Sequence, residues 1–339
     1  MIFTILMDVF EDNSESNIKM LDEIFLLSSE RHKLYIGDDD IIDSLMNSNW
    51  YKELRNSYQK QIEEDIVRSI QSSKPKSVFT ISNSKINTFS TYEALAILGT
   101  PLKLVLENSE NDAYFIMALM ENFKKKGKKI KLHWSEGWLK FDMGGGSTIP
   151  NVIRNEKQRF ENNQGKFPKE SHVYLRSFVL IDSDKNHPNA ILNDDKKKLI
   201  QLLEANDIKY HVLEKREIEN YMPDIVFSEI QGNQNYIQAY LDLEPVQKDY
   251  FDIEKGFSSK YQQLPSDIQE LYKSVSDKNK EIFRKNKLDM TDSNGNKLSF
   301  KASFPKLFKH CHNINEENLQ ARCGTDELKE ILDKIEALL

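Results

Sequence analysis

Two aspartates stand where a buried strand would end. The apolar run at residues 178–181 leads straight into Asp182 and Asp184, which are separated by a single serine. Residues two apart in an extended strand face the same side and lie about 7 Å apart along the chain. The spacing therefore predicts that both carboxylates point together from the carboxyl end of a strand.

A glutamate ends a second apolar run in the same way. Glu107 follows the run at 102–106, and Asp112 comes five residues later, in the next predicted helix. Carboxylates that converge at one sheet edge repel one another unless a cation neutralises them. Oxygen ligands without Cys or His favour a hard metal, Mg²⁺ or Mn²⁺. Two such ions about 4 Å apart would stabilise the attacking and leaving oxygens of a phosphoryl transfer.

Each of these signals also has an ordinary structural explanation. An Asp-x-Asp sequence after a strand often forms a turn or caps a helix, and a single glutamate can end a strand in solvent. The metal-site interpretation is favoured because the acidic residues occur in order, together with a glycine-rich turn and a later acidic segment.

The elements that must position these residues alternate, which predicts an α/β fold with a mostly parallel sheet. Predicted strands lie at residues 1–7, 31–36, 76–82, 101–107, 128–134, 171–182 and 208–214. Predicted helices lie between them at residues 17–27, 51–71, 111–127 and 194–207. Continuous apolar strands are typical of parallel sheets covered on both faces, and such sheets bind ligands at their carboxyl ends.

Strand signals fade beyond about residue 221. Amphipathic helices are predicted at 267–286 and 325–339, the latter with Thr325 as its N-cap. We therefore predict three parts, with boundaries taken from these changes in pattern. They are a small α/β domain at 1–100, a catalytic domain at 101–225 and a mainly helical C-terminal region at 226–339.

Composition excludes several classes of protein. The chain has 339 residues, 39% of them apolar, which is enough for a sizeable core and, by length, about two domains. No stretch reaches the roughly 18 apolar residues of a membrane span, and a signal peptide is not expected. With only Cys311 and Cys323, a disulfide framework is not expected, so a cytoplasmic location is predicted. The net charge of −7 argues against a generally basic nucleic-acid binder but not against a local basic groove.

Four segments together resemble a known family. LVLENSENDAYFI resembles the glutamate motif of TOPRIM domains, FVLIDSD their Asp-x-Asp motif, and FDMGGGSTIPNVI the glycine-containing turn between them. LEKREIENYMPD is similar to a segment that follows the TOPRIM core in the overcoming-lysogenisation-defect nucleases. The same segment occurs in stand-alone nucleases of anti-phage defence, including the nuclease subunit of the PARIS system. The resemblance covers residues 101–224, a little over a third of the chain.

The resemblance implies a compact Rossmann-like TOPRIM sheet and Mg²⁺-dependent cleavage of nucleic-acid phosphodiesters. Glu107 would act as a metal ligand or general base, and Asp182 and Asp184 would hold the metal ions. A further carboxylate follows the glutamate in this family. Asp112 lies one residue after the position that the family pattern gives for this carboxylate, and Glu110 lies one residue before it. Both residues therefore stay open as the further ligand.

Two further groups would complete the implied site. Glu217 and Glu219 would form a second metal site, with Glu219 favoured because the apolar Ile218 and Tyr221 would anchor its helix. Related nucleases also use a downstream lysine to stabilise charge in the transition state. Lys255 is our candidate for that lysine.

The implied function is a Mg²⁺- or Mn²⁺-dependent endonuclease that is the toxic effector of an anti-phage system. Its substrate would be DNA or RNA, including tRNA. Because the chain lacks the Walker A sequence GxxxxGK[ST], an ATP-driven step would need a partner ATPase or sensor protein. A homo-oligomer is a further predicted assembly, and no membrane partner is expected. The alternative is a regulatory or nucleic-acid-binding subunit that does not cleave.

Other polar clusters receive mainly structural interpretations. The lysine runs at 124–129 and 196–198 either contact a nucleic-acid backbone or, as we favour, form solvated helix ends and surfaces. The GGGST turn at 144–148 either binds phosphate or is a plain sharp turn. Zinc-site spacing is absent from the four residues His310, Cys311, His312 and Cys323.

The amino-terminal unit carries polar residues at its own strand ends. Asp8, the run at 38–40 and Asn83 give an arrangement loosely like PIN-type ribonuclease sheets, which makes a second catalytic site one hypothesis. Asp and Asn also form ordinary turns and caps. We therefore favour a structural or partner-recognition role for this unit.

Overall fold

The amino-terminal part of the computed structural model contains a three-stranded parallel sheet in the order β2-β1-β3. The structure describes residues 1–73, 75, 78–145 and 148–339. The strands are β1 (Ile2–Ile5), β2 (Lys33–Leu34) and β3 (Phe79–Ile81). The helices are α1 (Met7–Glu11), α2 (Glu15–Glu30), α3 (Asp39–Asn47), α4 (Asn49–Glu53), α5 (Asn56–Gln71) and α6 (Thr91–Gly99).

The predicted elements of this part exist but are shorter or divided. The helix predicted at 51–71 is two helices, because Leu54 takes an extended backbone and packs against the apolar core between α4 and α5. Residues 76 and 77 of the third predicted strand lie outside the described residues. Helix α6 was missing from the prediction, and a capping box formed by Ser90 and Glu93 begins it.

The middle of the chain forms a four-stranded parallel sheet in the order β5-β4-β6-β7. The strands are β4 (Leu102–Leu106), β5 (Leu139–Met143), β6 (Ser177–Ile181) and β7 (Lys209–Val212). The helices are α7 (Asn111–Asn122), α8 (Lys124–Ser135), α9 (Ile149–Glu161) and α10 (Asp194–Ala205). Two 3-10 helices span Ser171–Tyr174 and Ile218–Tyr221.

Both faces of this sheet are covered, which explains its continuous apolar strands. On one face, Leu104 and Leu180 belong to a large core shared with the C-terminal helices. On the other face, Val105 and Val179 pack with residues of α9 and α10. Alternate strand residues thus enter two separate cores, and the sheet is held rigidly between them.

The strand predicted at 128–134 is wrong, because these residues belong to α8. The buried residues Ile130 and His133 are three apart, which is helical and not strand spacing. The second strand of the sheet is β5, from a segment that we had assigned to the glycine turn. The helix predicted at 111–127 ends earlier, and the lysine run at 124–129 directly follows the C-cap of α7 at Phe123 and begins α8.

The C-terminal region is mainly helical. Its helices are α11 (Asp224–Phe227), α12 (Gln234–Leu241), α13 (Pro245–Tyr250), α14 (Ser266–Leu271), α15 (Asp277–Lys285), α16 (Phe300–Ser303), α17 (Leu307–His310), α18 (Glu316–Cys323) and α19 (Glu327–Glu336). A 3-10 helix spans Tyr261–Gln263, and a short antiparallel pair joins β8 (Met290–Thr291) and β9 (Lys297–Leu298). The helix predicted at 267–286 is divided into α14 and α15. Asp326 and not Thr325 precedes α19.

The chain is thus an α/β protein with small parallel sheets of three and four strands and a helical C-terminal region. The C-terminal helices share the core of the four-stranded sheet, so apolar packing runs across the predicted boundary at residue 225. The three-part division stays a prediction. Among the described residues, none of the helices combines the length and apolar character that crossing a bilayer requires.

Candidate functional site

The strand order places the carboxyl ends of β4 and β6 side by side at the point where the chain reverses direction across the sheet. From β4 the chain goes to β5 on one side, then crosses to β6 on the other. Glu107 directly follows β4, and Asp182 directly follows β6. Crevices at such switch points are where open α/β sheets bind ligands.

A lysine of α10 joins the acidic residues of the two strands. The ammonium of Lys196 donates a hydrogen bond to Glu107 Oε1 and lies 3.1 Å from Asp184 Oδ2. Burial by itself lowers the pKa of Lys196, but the carboxylates of Glu107, Asp184 and Asp182 offset this and raise it overall. Glu107 and Asp184 therefore share one cation, and the charge of Asp182 also acts on it.

Asp182 lies at the centre of the acidic cluster. Burial raises its pKa well above the usual range, and the negative charge of Glu107 raises it further. Glu219, Asp112 and Glu217 act on it in the same direction, in that order. Five carboxylates from three segments of the chain are thus close enough to interact near the switch point.

Asp184 reaches the cluster by a route that the sequence did not predict. Strand β6 ends at Ile181, so neither aspartate lies in the strand, and the expectation from strand alternation is wrong. Asp184 has a left-handed backbone with φ of 54°, which Asp tolerates better than most residues. Its amide donates to the carbonyl of Arg216 at 3.0 Å, so the turn is fixed to the segment that carries Glu217.

Asp112, and not Glu110, faces the other carboxylates. Burial raises the pKa of Asp112 to about 7; Glu107 and Glu217 add to the effect, against hydrogen bonds from the Asn108 and Glu107 amides. Its Oδ2 accepts from the Asn108 amide at 2.8 Å. Glu110 is exposed at the start of α7.

The 3-10 helix Ile218–Tyr221 brings the last two carboxylates to the cluster. Burial raises the pKa of Glu219 to about 8, with Glu217 as the next cause. Burial also raises the pKa of Glu217, against the opposite effect of Arg216. Ile218 and Tyr221 are both fully buried, as expected for residues that anchor this helix.

Lys255 lies three residues after Asp252, which pairs with Arg216 at 3.4 Å. Its side chain is exposed, and its backbone amide donates to Asp252 at 2.8 Å. The lysine at the carboxylates is Lys196, which we had grouped with Lys197 and Lys198 as a solvated run. Helical spacing could have identified it, because Lys196 shares the buried face of α10 with Leu199 and Leu203.

The donor chemistry of the cluster fits a hard divalent ion, because every donor is a carboxylate oxygen and the charges repel one another. The present rotamers do not form a ready coordination set. Among the described residues, no three His, Cys, Asp or Glu side chains are arranged to hold one metal ion. The ammonium of Lys196 takes the position between Glu107 and Asp184 instead.

The glycine turn at 144–148 is described only in part, since Gly146 and Ser147 lie outside the described residues. Gly144 is required by close packing. A Cβ at this position would come within 2.8 Å of Val105 Cγ1 and 2.5 Å of Ile149 Cγ1. Gly144 is thus packed against β4, and both interpretations of the turn stay open.

Asp8 has a structural role in the amino-terminal unit. Its Oδ2 accepts hydrogen bonds of 2.8–2.9 Å from Ser82, Asn83 and Ser84. Burial alone raises the pKa of Asp8, but these hydrogen bonds lower it overall. The carboxylate orders the loop after β3, which agrees with the structural role that we favoured.

Comparisons with known proteins leave the site to be interpreted on its own chemistry. No protein-family model, curated protein or solved structure matches the chain.

Proposed function

We propose that this chain is a metal-dependent nuclease of the TOPRIM type, which hydrolyses nucleic-acid phosphodiesters with Mg²⁺ or Mn²⁺. The observation that carries the proposal is the meeting of Glu107 and Asp184 at Lys196, beside an Asp182 whose charge four other carboxylates oppose. Such a concentration of negative charge costs stability unless a cation binds there. Within the described residues, ion pairs reach Glu107 and Asp184 through Lys196 and Glu217 through Arg216, and none reaches Asp182 or Glu219.

The residues divide into three groups by position. Glu107, Asp112, Asp182 and Asp184 would hold one metal ion, and Glu217 with Glu219 would complete a second site. A divalent ion bound there supplies charge neutralisation for a phosphodiester and for the oxygens that exchange at phosphorus. Lys196 holds Glu107 and Asp184 together, and its ammonium is available to a phosphate once the carboxylates bind metal. Lys255 is the second candidate for a lysine that stabilises charge in the transition state.

The biological setting is proposed from the sequence resemblance alone. It is that of a cytoplasmic, toxic effector in an anti-phage system, acting on DNA or RNA and controlled by a partner ATPase or sensor protein. Self-association is a second means of control. Light scattering of the purified chain, alone and with nucleic acid, measures the assembly state directly.

The decisive experiment incubates purified protein with supercoiled plasmid and with total RNA, in Mg²⁺, Mn²⁺ or EDTA. Cleavage is expected with metal and not with EDTA. The double variant Asp182→Asn, Asp184→Asn is expected to reduce cleavage to background. Asp195→Asn is the matched control, because its side chain is 97% exposed on α10. Cleavage that survives in the double variant would remove the proposed site.

One observation favours a second candidate, a regulatory subunit that binds nucleic acid without cleaving it. Lys196 already neutralises part of the charge of Glu107 and Asp184, which a non-catalytic site requires. Calorimetric titration with Mn²⁺ separates the two candidates. Nucleic-acid binding without metal binding or cleavage in any condition would establish the second.

A further inference from the structure

A large cavity lies at the opposite end of the strands from the carboxylates. Its volume is about 760 Å³, within the range of small-molecule sites. Six first residues of strands line it, from both sheets: Ile2, Lys33, Phe79, Leu102, Ser177 and Lys209. The end of the chain at 336–339 closes a further side. The cavity therefore lies between the three predicted parts of the chain.

The walls of this cavity carry excess positive charge. Five lysine and arginine side chains line it, against the side-chain carboxylates of Asp207 and Glu336, while the Met1 ammonium in the lining donates to Leu339 O. Asp207 is already paired with Lys209 at 2.6 Å. The lining lysines and arginines are Arg31, Lys33, Lys129, Arg176 and Lys209.

Arg176 is the most informative of these cations. It is only 9% exposed, and it donates to the carbonyl oxygens of Thr100 at 2.7 Å and Leu338 at 2.9 Å, which carry no net charge. Burial and the positive charge of Arg31 lower its pKa to about 10. Burial likewise lowers the pKa of Lys129, and Lys33 lowers it further against the effect of Glu336. Neighbouring positive charges repel one another, and a bound anion offsets this repulsion.

An aromatic surface adjoins the cations. Phe79 and Phe89 both line the cavity, and their rings stack with centroids 4.4 Å apart. Both side chains are only partly buried, and the Lys169 ammonium lies over the Phe89 ring, 4.8 Å from its centroid. Ile97 and Leu175 extend the apolar wall. A planar aromatic ligand gains stacking and apolar contact on such a wall.

We propose that this cavity binds a nucleoside di- or triphosphate, with Arg176 and Lys129 contacting the phosphates and the Phe79–Phe89 pair contacting the base. The site is separate from the carboxylate cluster, and it does not depend on the function proposed for that cluster. Because the ligand would contact all three parts of the chain, its binding would also stabilise their arrangement.

The test measures binding of ATP, GTP and pyrophosphate by calorimetry, with EDTA present so that metal-bound nucleotide at the carboxylates does not contribute. ATP or GTP is expected to bind at least tenfold more tightly than pyrophosphate. Lys129→Glu and Arg176→Gln are each expected to weaken nucleotide binding at least tenfold. Lys128→Glu is the matched control, because it is exposed on the same helix and does not line the cavity.

Arg176→Gln also loses structural hydrogen bonds, so Lys129→Glu, on a half-buried side chain, is the variant that decides. The double variant Asp182→Asn, Asp184→Asn is expected to bind nucleotide as the native chain does. Failure of ATP and GTP to bind, or unchanged binding by Lys129→Glu, would overturn the proposal. Equal binding of pyrophosphate and nucleotides would also overturn it, because the aromatic wall would then contribute nothing.

Discussion

Lys196 on helix α10 donates a hydrogen bond to Glu107 at the end of strand β4, across 89 positions of the chain. Lys196 is 8% exposed, so little water screens this ion pair. The same ammonium lies beside Asp184 after β6. One cation thus fixes the relative position of the two strand ends that form the candidate site.

Removing that cation tests its role directly. Lys196→Met leaves Glu107 and Asp184 without their counter-charge, and we expect a loss of about 1–3 kcal/mol of metal-free stability. Thermal unfolding in EDTA measures it. Lys197→Met is the matched control, since Lys197 is a half-exposed neighbour on the same helix. Added Mn²⁺ is expected to recover part of the lost stability in Lys196→Met, and equal losses in both variants would contradict this account.

Neutralising the buried carboxylate of Glu219 is expected to raise the stability of the metal-free protein. The pKa of Glu219 is raised to about 8, so its protonated form favours the folded state below about pH 4.5 and this contribution is lost as the pH rises to 8. The glutamine in Glu219→Gln cannot ionise, so the variant does not lose this folding stability as the pH rises. We expect the metal-free variant to melt about 2–4 °C above the native chain at pH 8. The difference should shrink at pH 5.

The same Glu219→Gln variant should be less active and should bind Mn²⁺ more weakly, so stability and activity change in opposite directions. Glu110→Gln is the matched control, since Glu110 is exposed at the start of α7. It is expected to change neither property. A Glu219→Gln variant that is both less stable and fully active would contradict the placement of Glu219 in the cluster.

Metal binding should depend on pH. Asp112 and Glu219, with pKa values of about 7 and 8, must lose their protons before they bind a cation. The apparent affinity for Mg²⁺ is therefore expected to rise between pH 6 and pH 8.5, by about tenfold per pH unit for each proton released. Melting temperatures across a Mg²⁺ titration at each pH measure this. The Asp182→Asn, Asp184→Asn variant should show no such dependence.

A buried hydrogen bond connects helix α19 to the site. Tyr221 donates to Glu327, which is 1% exposed and also accepts from the amide of Glu214 at 2.7 Å. Tyr221→Phe keeps the ring but leaves Glu327 with one partner fewer. We expect a loss of about 1–3 kcal/mol and weaker Mn²⁺ binding, because Tyr221 ends the 3-10 helix that carries Glu219.

Tyr114→Phe controls for the loss of a tyrosine hydroxyl. Tyr114 is half-buried on α7, and its ring lies 6.2 Å from that of His310. Denaturant unfolding and Mn²⁺ titration of both variants give the comparison. Metal binding that is unchanged in Tyr221→Phe would show that α19 supports the fold without positioning the site.

Local patterns were sufficient where a residue directly follows a buried strand. Glu107 and Asp182 could be assigned to the same sheet edge, because parallel strands present their carboxyl ends together. Asp112 could not be separated from Glu110 by spacing. The choice depended on how the turn after β4 enters α7, where Asp112 accepts from Asn108 and Glu110 faces solvent.

Predictions from the sequence were wrong where one residue pattern is compatible with two structures. The segment at 128–134 has an apolar residue at every second position, yet it also has the three-residue spacing of Ile130 and His133, and packing against α7 selects the helix. Lys196 is one of three consecutive lysines, and its helical spacing with Leu199 and Leu203 is the local signal that separates it from Lys197. Lysines in a run of charged residues are usually exposed to solvent, so composition does not show that one of them is buried.

The sequence by itself determined the alternation of helices and strands, the parallel sheets and the acidic residues at the strand ends, because these depend on spacing along the chain. The tertiary structure alone decided the strand order, the left-handed turn at Asp184, the pairing of Lys196 with Glu107 and the basic cavity at the other end of the sheets. Such features join residues that lie far apart in the chain. Their geometry follows from how the cores pack, which spacing along the sequence does not specify.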